Sequence, residues 1–291
     1  MKILVCGANG QLGSVLKNTC PSDFIAIYSS KNEIDLTQKD FVIKKIKLLK
    51  PDIIINTAAY TSVDKAESER DLAKEINMIG CKNLAIAANN INASLIHIST
   101  DYVFDGKKNN PYDETDKTNP LSVYGRTKLW GENEIIENLD KYIIIRTSWL
   151  YASKGNNFLN KLVQLSKERE ILNIISDQYG RPTFCDDLAK TIWNISKEIF
   201  YEKYISQIYH CSGSGEVVSW YEFALEISRL FNKSNIHFPT IKPILTKDFN
   251  QQAIRPKYSA LNVEKILRDF NLTEVDWRLS LSNSINGIIG K

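Results

Sequence analysis

The chain has 291 residues, 43% hydrophobic and 24% charged, with 37 basic against 34 acidic side chains and a net charge of +3. That length can bury a sizeable core as one large domain or two modest ones, and so even a charge balance gives no electrostatic case for a nucleic acid partner. No stretch approaches the roughly 18–20 apolar residues that span a bilayer, and the opening run MKILVC is too short, and meets glycine too soon, for a signal peptide.

In chain order, Lys2–Cys6 is a short apolar run, followed by helical spacing from Gln11 to about Cys20. Phe24–Tyr28 is a second apolar run, and 38–49 an amphipathic segment stopped by Pro51. Asp52–Asn56 (DIIIN) is a third strand, 63–90 reads as helix, and Leu95–Ser99 (LIHIS) is a fourth strand. Residues 122–138 read as a long helix before a fifth strand at Tyr142–Arg146 (YIIIR). Strand–helix alternation predicts an α/β fold of Rossmann type, a doubly wound parallel sheet. The near-continuous apolar strands fit a sheet covered on both faces. Beyond residue 150 the spacing predicts helices near 156–169, 186–199 and 219–232, and strands at Ile171–Ile175 and Ile208–His210. The stretch 233–262, with Pro239, Pro243 and Pro256, reads as loop. The expected organisation is a dinucleotide-binding domain over 1–150, with later segments returning to it, and a smaller substrate-binding domain over 151–291. Five cysteines (6, 20, 81, 185 and 211) are odd in number, widely spaced and form no CxxC. That argues against disulfides or a zinc site and for a reducing cytoplasm. No metal ligand set is expected.

The first strand runs into Gly7-Ala-Asn-Gly10-Gln-Leu-Gly13 and then helix. This GxxGxxG turn suits a dinucleotide: Gly7 permits the tight turn, Gly10 lets backbone approach a pyrophosphate, and Gly13 allows close helix packing. The helix N-terminus offers free N–H groups to the phosphates. A carboxylate at the end of the second strand would favour NAD, but that strand ends Tyr28-Ser29-Ser30-Lys31. Ser30 and cationic Lys31 therefore predict that NADPH is tolerated or preferred over NADH.

Tyr124 and Lys128 stand four apart in a helical stretch, on one face. A tyrosine hydroxyl with a pKa near 10 is poorly matched to acid–base work at neutral pH, and a nearby ammonium lowers it. Alone, YxxxK is common on surface helices. Here it follows the glycine turn by two further strand–helix units, and Ser99-Thr100-Asp101 closes a strand before it. Thr100 can donate to the same carbonyl oxygen that Tyr124 protonates.

Further blocks are PDIIINTAAYTSVDKAE at 51–67, HISTDYVFDG at 97–106, NPLSVYGRTKLWGE at 119–132, RTSWLYASKGNNF at 146–158, DQYGRPT at 177–183 and RPKYSALN at 255–262. With the glycine turn they make nearly the whole chain resemble the dTDP-4-dehydrorhamnose reductase family of the extended short-chain dehydrogenases/reductases. The resemblance implies Tyr124 as proton donor, Lys128 on the nicotinamide ribose and Thr100 at the substrate oxygen. It implies Gly10, Gln11 and Leu12 at the pyrophosphate, Asp35 and Leu36 at the adenine, and Ala59, Tyr60, Thr61 and Ile98 along the cofactor. Thr100, Asp101 and Trp149 would meet the sugar, and Asn156, Gln178 and Arg255 the nucleotide end. Trp149 also reads as a core aromatic and Arg255 as a surface charge. The implied reaction is reduction of a nucleotide-linked 4-keto-6-deoxysugar, here of dTDP-4-dehydro-L-rhamnose, for cell-surface polysaccharide. Two positions depart from the family pattern. Tyr60 stands where a histidine is common, and Ser14-Val15 where some members place a magnesium-binding glutamate at a dimer interface. Magnesium is therefore not carried over, and a homodimer stays open.

Three other readings stand beside this one. A related dehydratase would follow the threonine with Asp and Glu, but here Asp101 is followed by Tyr102, so the base is missing. A non-catalytic subunit like the regulatory one of methionine adenosyltransferase would be favoured by loss of Tyr124 or Lys128, and both are present. A reductase of a different 4-keto sugar is left open by spacing alone.

Overall fold

A computed structural model describes residues 1–201 and 206–290. The strands are β1 (Lys2–Cys6), β2 (Ile25–Ser29), β3 (Ile53–Asn56), β4 (Ser94–Thr100), β5 (Tyr142–Thr147), β6 (Leu150–Tyr151), β7 (Ile171–Ile175), β8 (Tyr179–Gly180), β9 (Thr183–Phe184), β10 (Gln207–His210), β11 (Val218–Ser219) and β12 (Thr240–Ile244). The helices are α1 (Gln11–Asn18), α2 (Lys39–Leu49), α3 (Val63–Ala66), α4 (Arg70–Lys74), α5 (Gly80–Asn89), α6 (Val123–Asn138), α7 (Phe158–Leu165), α8 (Cys185–Tyr201), α9 (Trp220–Lys233), α10 (Glu264–Asp269) and α11 (Trp277–Ile289).

Six strands form one parallel sheet in the order β10-β5-β4-β3-β1-β2. Chain order reverses between β1 and β3, where an open α/β sheet leaves a crevice at its carboxyl edge. Ile3, Val5, Ile53, Ile55, Ile96 and Ile143 point to one face, against α1 and α8. Leu4, Ile54, Leu95 and Ile144 point to the other, against α2, α5 and α6. Period-two alternation with both faces apolar is why these runs read as unbroken hydrophobic sequence.

A third core joins α7, α9 and α11 around Phe223, Ile227, Trp277 and Leu281, beside the parallel pair β7–β12. α9 begins with a capping box: the Ser219 hydroxyl accepts from the Glu222 N–H, and the Glu222 carboxylate accepts from the Ser219 N–H.

Three segments differ from the periodicity. The helix expected over 63–90 is divided into α3, α4, a π-helical turn at Glu75–Ile79 and α5. Asn77 in that turn is drawn out of register by the loop after β3: its amide accepts from the Tyr60 N–H (2.8 Å) and donates to the Tyr60 carbonyl and to Thr127 Oγ1 (both 3.1 Å). Within the stretch expected as loop, β12 forms despite Pro243, because it pairs with β7 alone and its missing N–H costs no second ladder. α11, in a region where no element was expected, is capped by Asp276, whose side chain accepts from the Arg278 N–H at 2.7 Å.

Candidate active site

Gly7 ends β1 with φ +81°, and a Cβ there would stand 2.6 Å from the Ala58 nitrogen. The turn therefore exists only for glycine. Gly13 packs on the Gly7 carbonyl, where a Cβ would stand 2.3 Å from the oxygen. Beyond Gly7 and Gly10 lies a cavity of ≈ 250 Å³, lined also by Ser30, Lys31, Asp35, Leu36 and Ala59. Backbone-lined space at a helix N-terminus, walled by Ile34, Leu36 and Ile76, fits the phosphates and adenine of a dinucleotide. Asp35 shapes this wall, its carboxylate accepting from the Thr37 N–H (3.0 Å) and hydroxyl (2.9 Å).

Not every expected cofactor residue reaches the cavity. Leu12 is buried in the core behind the turn. Gln11 instead spans to β6 and the start of α7, its amide donating to the Leu150 carbonyl (3.3 Å) and accepting from Asn157 Nδ2 (2.7 Å). Tyr60 and Thr61 lie outside the lining, and the Tyr60 hydroxyl donates to Glu69 (2.7 Å). The Ile98 carbonyl accepts from Lys128 Nζ at 2.6 Å.

The second cluster stands at the carboxyl end of β4. Thr100 Oγ1 donates to Asp101 Oδ1 (3.1 Å) and accepts from the Tyr102 N–H (3.2 Å). Ser122 caps α6, accepting from the Gly125 N–H at 3.1 Å. Gly125 lies so close to the Tyr102 carbonyl that a Cβ would stand 2.2 Å from it. That approach sets half-buried Tyr124 beside Thr100 and Tyr102, with the two tyrosine rings edge-on at 5.7 Å.

Burial pushes the Tyr124 hydroxyl up to about 12; the Asp101 charge adds to this and the Thr100 hydroxyl opposes it. Tyr124 is thus a phenol at neutral pH, ready to donate. No lowering by Lys128 counters this: the lysine nitrogen is buried, held by the Ile98 carbonyl and by His97 Nε2 at 3.1 Å. Burial also lowers the proton affinity of Lys128. Asp101 is raised to about 7 by burial, opposed by the Ser259 and Thr100 hydroxyls, and its Oδ2 meets no donor among the described residues.

Arg255 binds Asp64 through both guanidinium nitrogens (2.5 and 3.1 Å). It lines a groove of ≈ 590 Å³ with Gln178, Phe158, Leu162, Trp220 and Phe249. Gln178 is anchored there by donating to Thr246 Oγ1 at 3.1 Å. Trp149, with φ +46°, stacks on Trp220 with ring centroids 3.5 Å apart and packs over Gly180, so it joins this groove to the third core. Asn156 is exposed and belongs to a separate hollow with Gly155 and Asn160; its neighbour Asn157 makes the contact to Gln11.

Sequence reasoning passed over His97, Asn56 and Glu33. The signal for the first two was a polar residue within an apolar strand, since such a group must find a buried partner. For Glu33 it was the Ser-x-x-Glu spacing from Ser30.

The family described as "RmlD substrate binding domain" matches residues 1–289. A dTDP-4-dehydrorhamnose reductase of Aggregatibacter actinomycetemcomitans is 39% identical over 287 residues, 97% of each chain.

This chain belongs to the dTDP-4-dehydrorhamnose reductase family.

Solved structures of that family superpose closely. One from Clostridium acetobutylicum has a TM-score of 0.92 at 40% identity, covering 99% of this chain and 100% of its own. A Bacillus anthracis dTDP-4-dehydrorhamnose reductase, in complex with NADP, has a TM-score of 0.91 at 37% identity, covering 98% and 99%. Reductase-family membership accounts for a glycine-turn cavity and a Thr–Tyr pair at the same sheet edge. Among the described residues no cluster of His, Cys, Asp or Glu could hold a metal ion, and no helix is long and apolar enough to cross a membrane.

Proposed function

We propose that this protein reduces the C4 keto group of dTDP-4-dehydro-L-rhamnose to dTDP-L-rhamnose with NADPH or NADH, supplying an activated deoxysugar for cell-surface polysaccharide. The observation that carries this reading is a Thr100–Tyr124 pair at the same carboxyl sheet edge as a cradle fit for a dinucleotide, in a chain that matches the reductases over nearly its full length.

A reduced nicotinamide, when bound, supplies the hydride. Tyr124 Oη donates its proton to the oxygen that becomes the C4 hydroxyl, while the Thr100 hydroxyl polarises the same oxygen. Tyr102, following Asp101, carries no carboxylate to abstract a carbon-bound proton, so reduction is the chemistry these side chains support. In the groove, Phe158, Leu162, Trp220 and Phe249 offer an apolar seat for a nucleobase, and Arg255 lies on its rim. Asp64 already neutralises Arg255, so that arginine orients a diphosphate more than it attracts one. Asp101 and Trp149 are assigned to the sugar. We divide the chain into a cofactor lobe of 1–150 with β10 and α8 returning to it, and a substrate lobe from most of the remainder. Five free cysteines suit a reducing compartment, and we assign the enzyme to the cytoplasm.

The test mixes the protein with dTDP-4-dehydro-L-rhamnose and NADPH and follows the reduced-nicotinamide absorbance. Tyr124→Phe should lose about a hundredfold or more in kcat while still binding NADPH. No turnover by the unmutated protein, with NADPH binding intact, would direct the search to another 4-keto sugar.

A further inference from the structure

His97 lies wholly buried in β4, and the reaction described above gives it no task. Its ring joins two buried polar groups. Asn56 Nδ2, at the end of β3, stands 3.1 Å from His97 Nδ1, and Lys128 Nζ, on α6, stands 3.1 Å from His97 Nε2. The other groups facing the ring are few. The Cys81 thiol of α5 lies 3.8 Å from Nε2, and burial raises it to about 11, so it stays uncharged. The nearest carboxylate on α6, Glu132, is taken by Arg146 through bonds of 2.7, 3.0 and 3.2 Å.

The hydrogen-bond polarity of this chain follows from its far end. Asn56 Oδ1 accepts from the Ala58 N–H at 3.1 Å, so its amide NH2 faces the ring. A ring nitrogen facing an NH2 must accept, which leaves the imidazole proton on Nε2. That proton points at Lys128 Nζ, which already donates to the Ile98 carbonyl. A nitrogen that accepts from Nε2–H needs a lone pair, and an ammonium has none. Ammonium and this tautomer are therefore incompatible. A charged Lys128 requires the proton to move to Nδ1, which in turn requires the Asn56 amide to reverse and give up Ala58.

We propose that His97, oriented by Asn56, is a positioning residue for Lys128: it offers the lysine a proton donor instead of an acceptor, and so sets how much of Lys128 carries charge beside Tyr124. Burial holds His97 neutral, as this arrangement requires. Asn56 and Ala58 border the glycine turn, so the chain links the state of the lysine to the loop that lines the cofactor cavity.

Two variants reverse the polarity. In His97→Gln the side-chain oxygen can turn to accept from the lysine, and in Asn56→Asp the carboxylate draws the ring proton to Nδ1. Both favour the ammonium, which lowers the Tyr124 pKa. The alkaline limb of the kcat/KM pH profile should move to lower pH by about half a unit or more in each, while the KM of the sugar nucleotide changes less than about twofold. A residue that only filled space would lower Tm and leave the limb in place. This kinetic arm rests on the reductase reading; a second arm does not. The chain has three histidines, so ring 1H–15N spectra with His97→Gln as reference identify His97 directly. The free protein should show a neutral His97 protonated on Nε2 from pH 6 to 8. An unmoved limb in both variants, or a His97 that carries its proton on Nδ1 or titrates like a free imidazole, overturns the proposal. Absence of turnover of dTDP-4-dehydro-L-rhamnose by the unmutated protein would count against the proposed substrate instead, and the ring spectrum would then decide the inference.

Discussion

At the end of β2, Ser30 donates both its N–H (2.7 Å) and its hydroxyl (2.8 Å) to the Glu33 carboxylate. Those donors lie on the wall of the cofactor cavity beside Lys31, where an adenosine 2′-phosphate would need them. The carboxylate that the second strand lacks is thus supplied from three residues further on. Lys31 attracts a 2′-phosphate and Glu33 repels it, so the chain should use both cofactors. Glu33→Gln should tighten NADPH by roughly threefold to tenfold and leave NADH nearly unchanged, and Lys31→Ala should weaken NADPH selectively. Fluorescence titration of each variant with both cofactors checks this; equal effects on NADH and NADPH would place the pair away from the 2′ position. Lysine at this site was legible in the sequence. The role of Glu33 was not, because Ser-x-x-Glu marks a turn without saying what the turn withholds.

At the scale of elements, α6 does most to build the site. Three of its residues need their small size or polarity for contacts with other elements. Gly125 meets the Tyr102 carbonyl, Thr127 bonds Asn77, and Gly131 lies where a Cβ would stand 2.1 Å from the Asn77 carbonyl. The helix and its Tyr–Lys face follow from spacing, but its seating against the π-helical turn and the 101–103 turn depends on close backbone approaches that no periodicity encodes. Gly125→Ala should push the first turn of α6 off Tyr102 and carry Tyr124 with it. We expect kcat to fall by about tenfold or more, with NADPH affinity close to the parent, since misplacement of a reacting group by an ångström is costly. A normal kcat in a folded Gly125→Ala protein would show that Tyr124 is positioned from elsewhere.

For the molecule as a whole, acid should be destabilising. His97 and His210 are buried and held neutral, His210 down at about 3. Near pH 5 the native state leaves both unprotonated, and the unfolded chain protonates both. Asp101, raised to about 7, works the other way: it is protonated in the native state and ionised when unfolded. Two protons gained on unfolding, less the one lost, leave a net uptake of one. Stability from these three groups therefore falls as pH drops from about 6 to 5, by roughly 1.4 kcal/mol per unit. Above the histidine range Asp101 acts alone, and stability falls as pH rises through 7. Urea unfolding at pH 5, 6, 7 and 8 should thus pass through a maximum between 6 and 7. A steady rise in stability towards pH 5 would mean that the histidines are charged in the native state.

Fold class, the five strands of the first half, the glycine turn and the Tyr124–Lys128 spacing were legible in local pattern. Each rests on spacing within a few residues: period two in a buried strand, period 3.6 in a helix, glycine where backbone must turn or touch. Long-range placement was decided only by tertiary structure. Gln11 binds Asn157, Arg255 binds Asp64, and Lys128 meets His97. These contacts join residues 146, 191 and 31 positions apart, and a buried polar group takes whichever partner packing brings within reach. Sequence shows that His97 must have a partner; only the fold shows that the partner is Lys128.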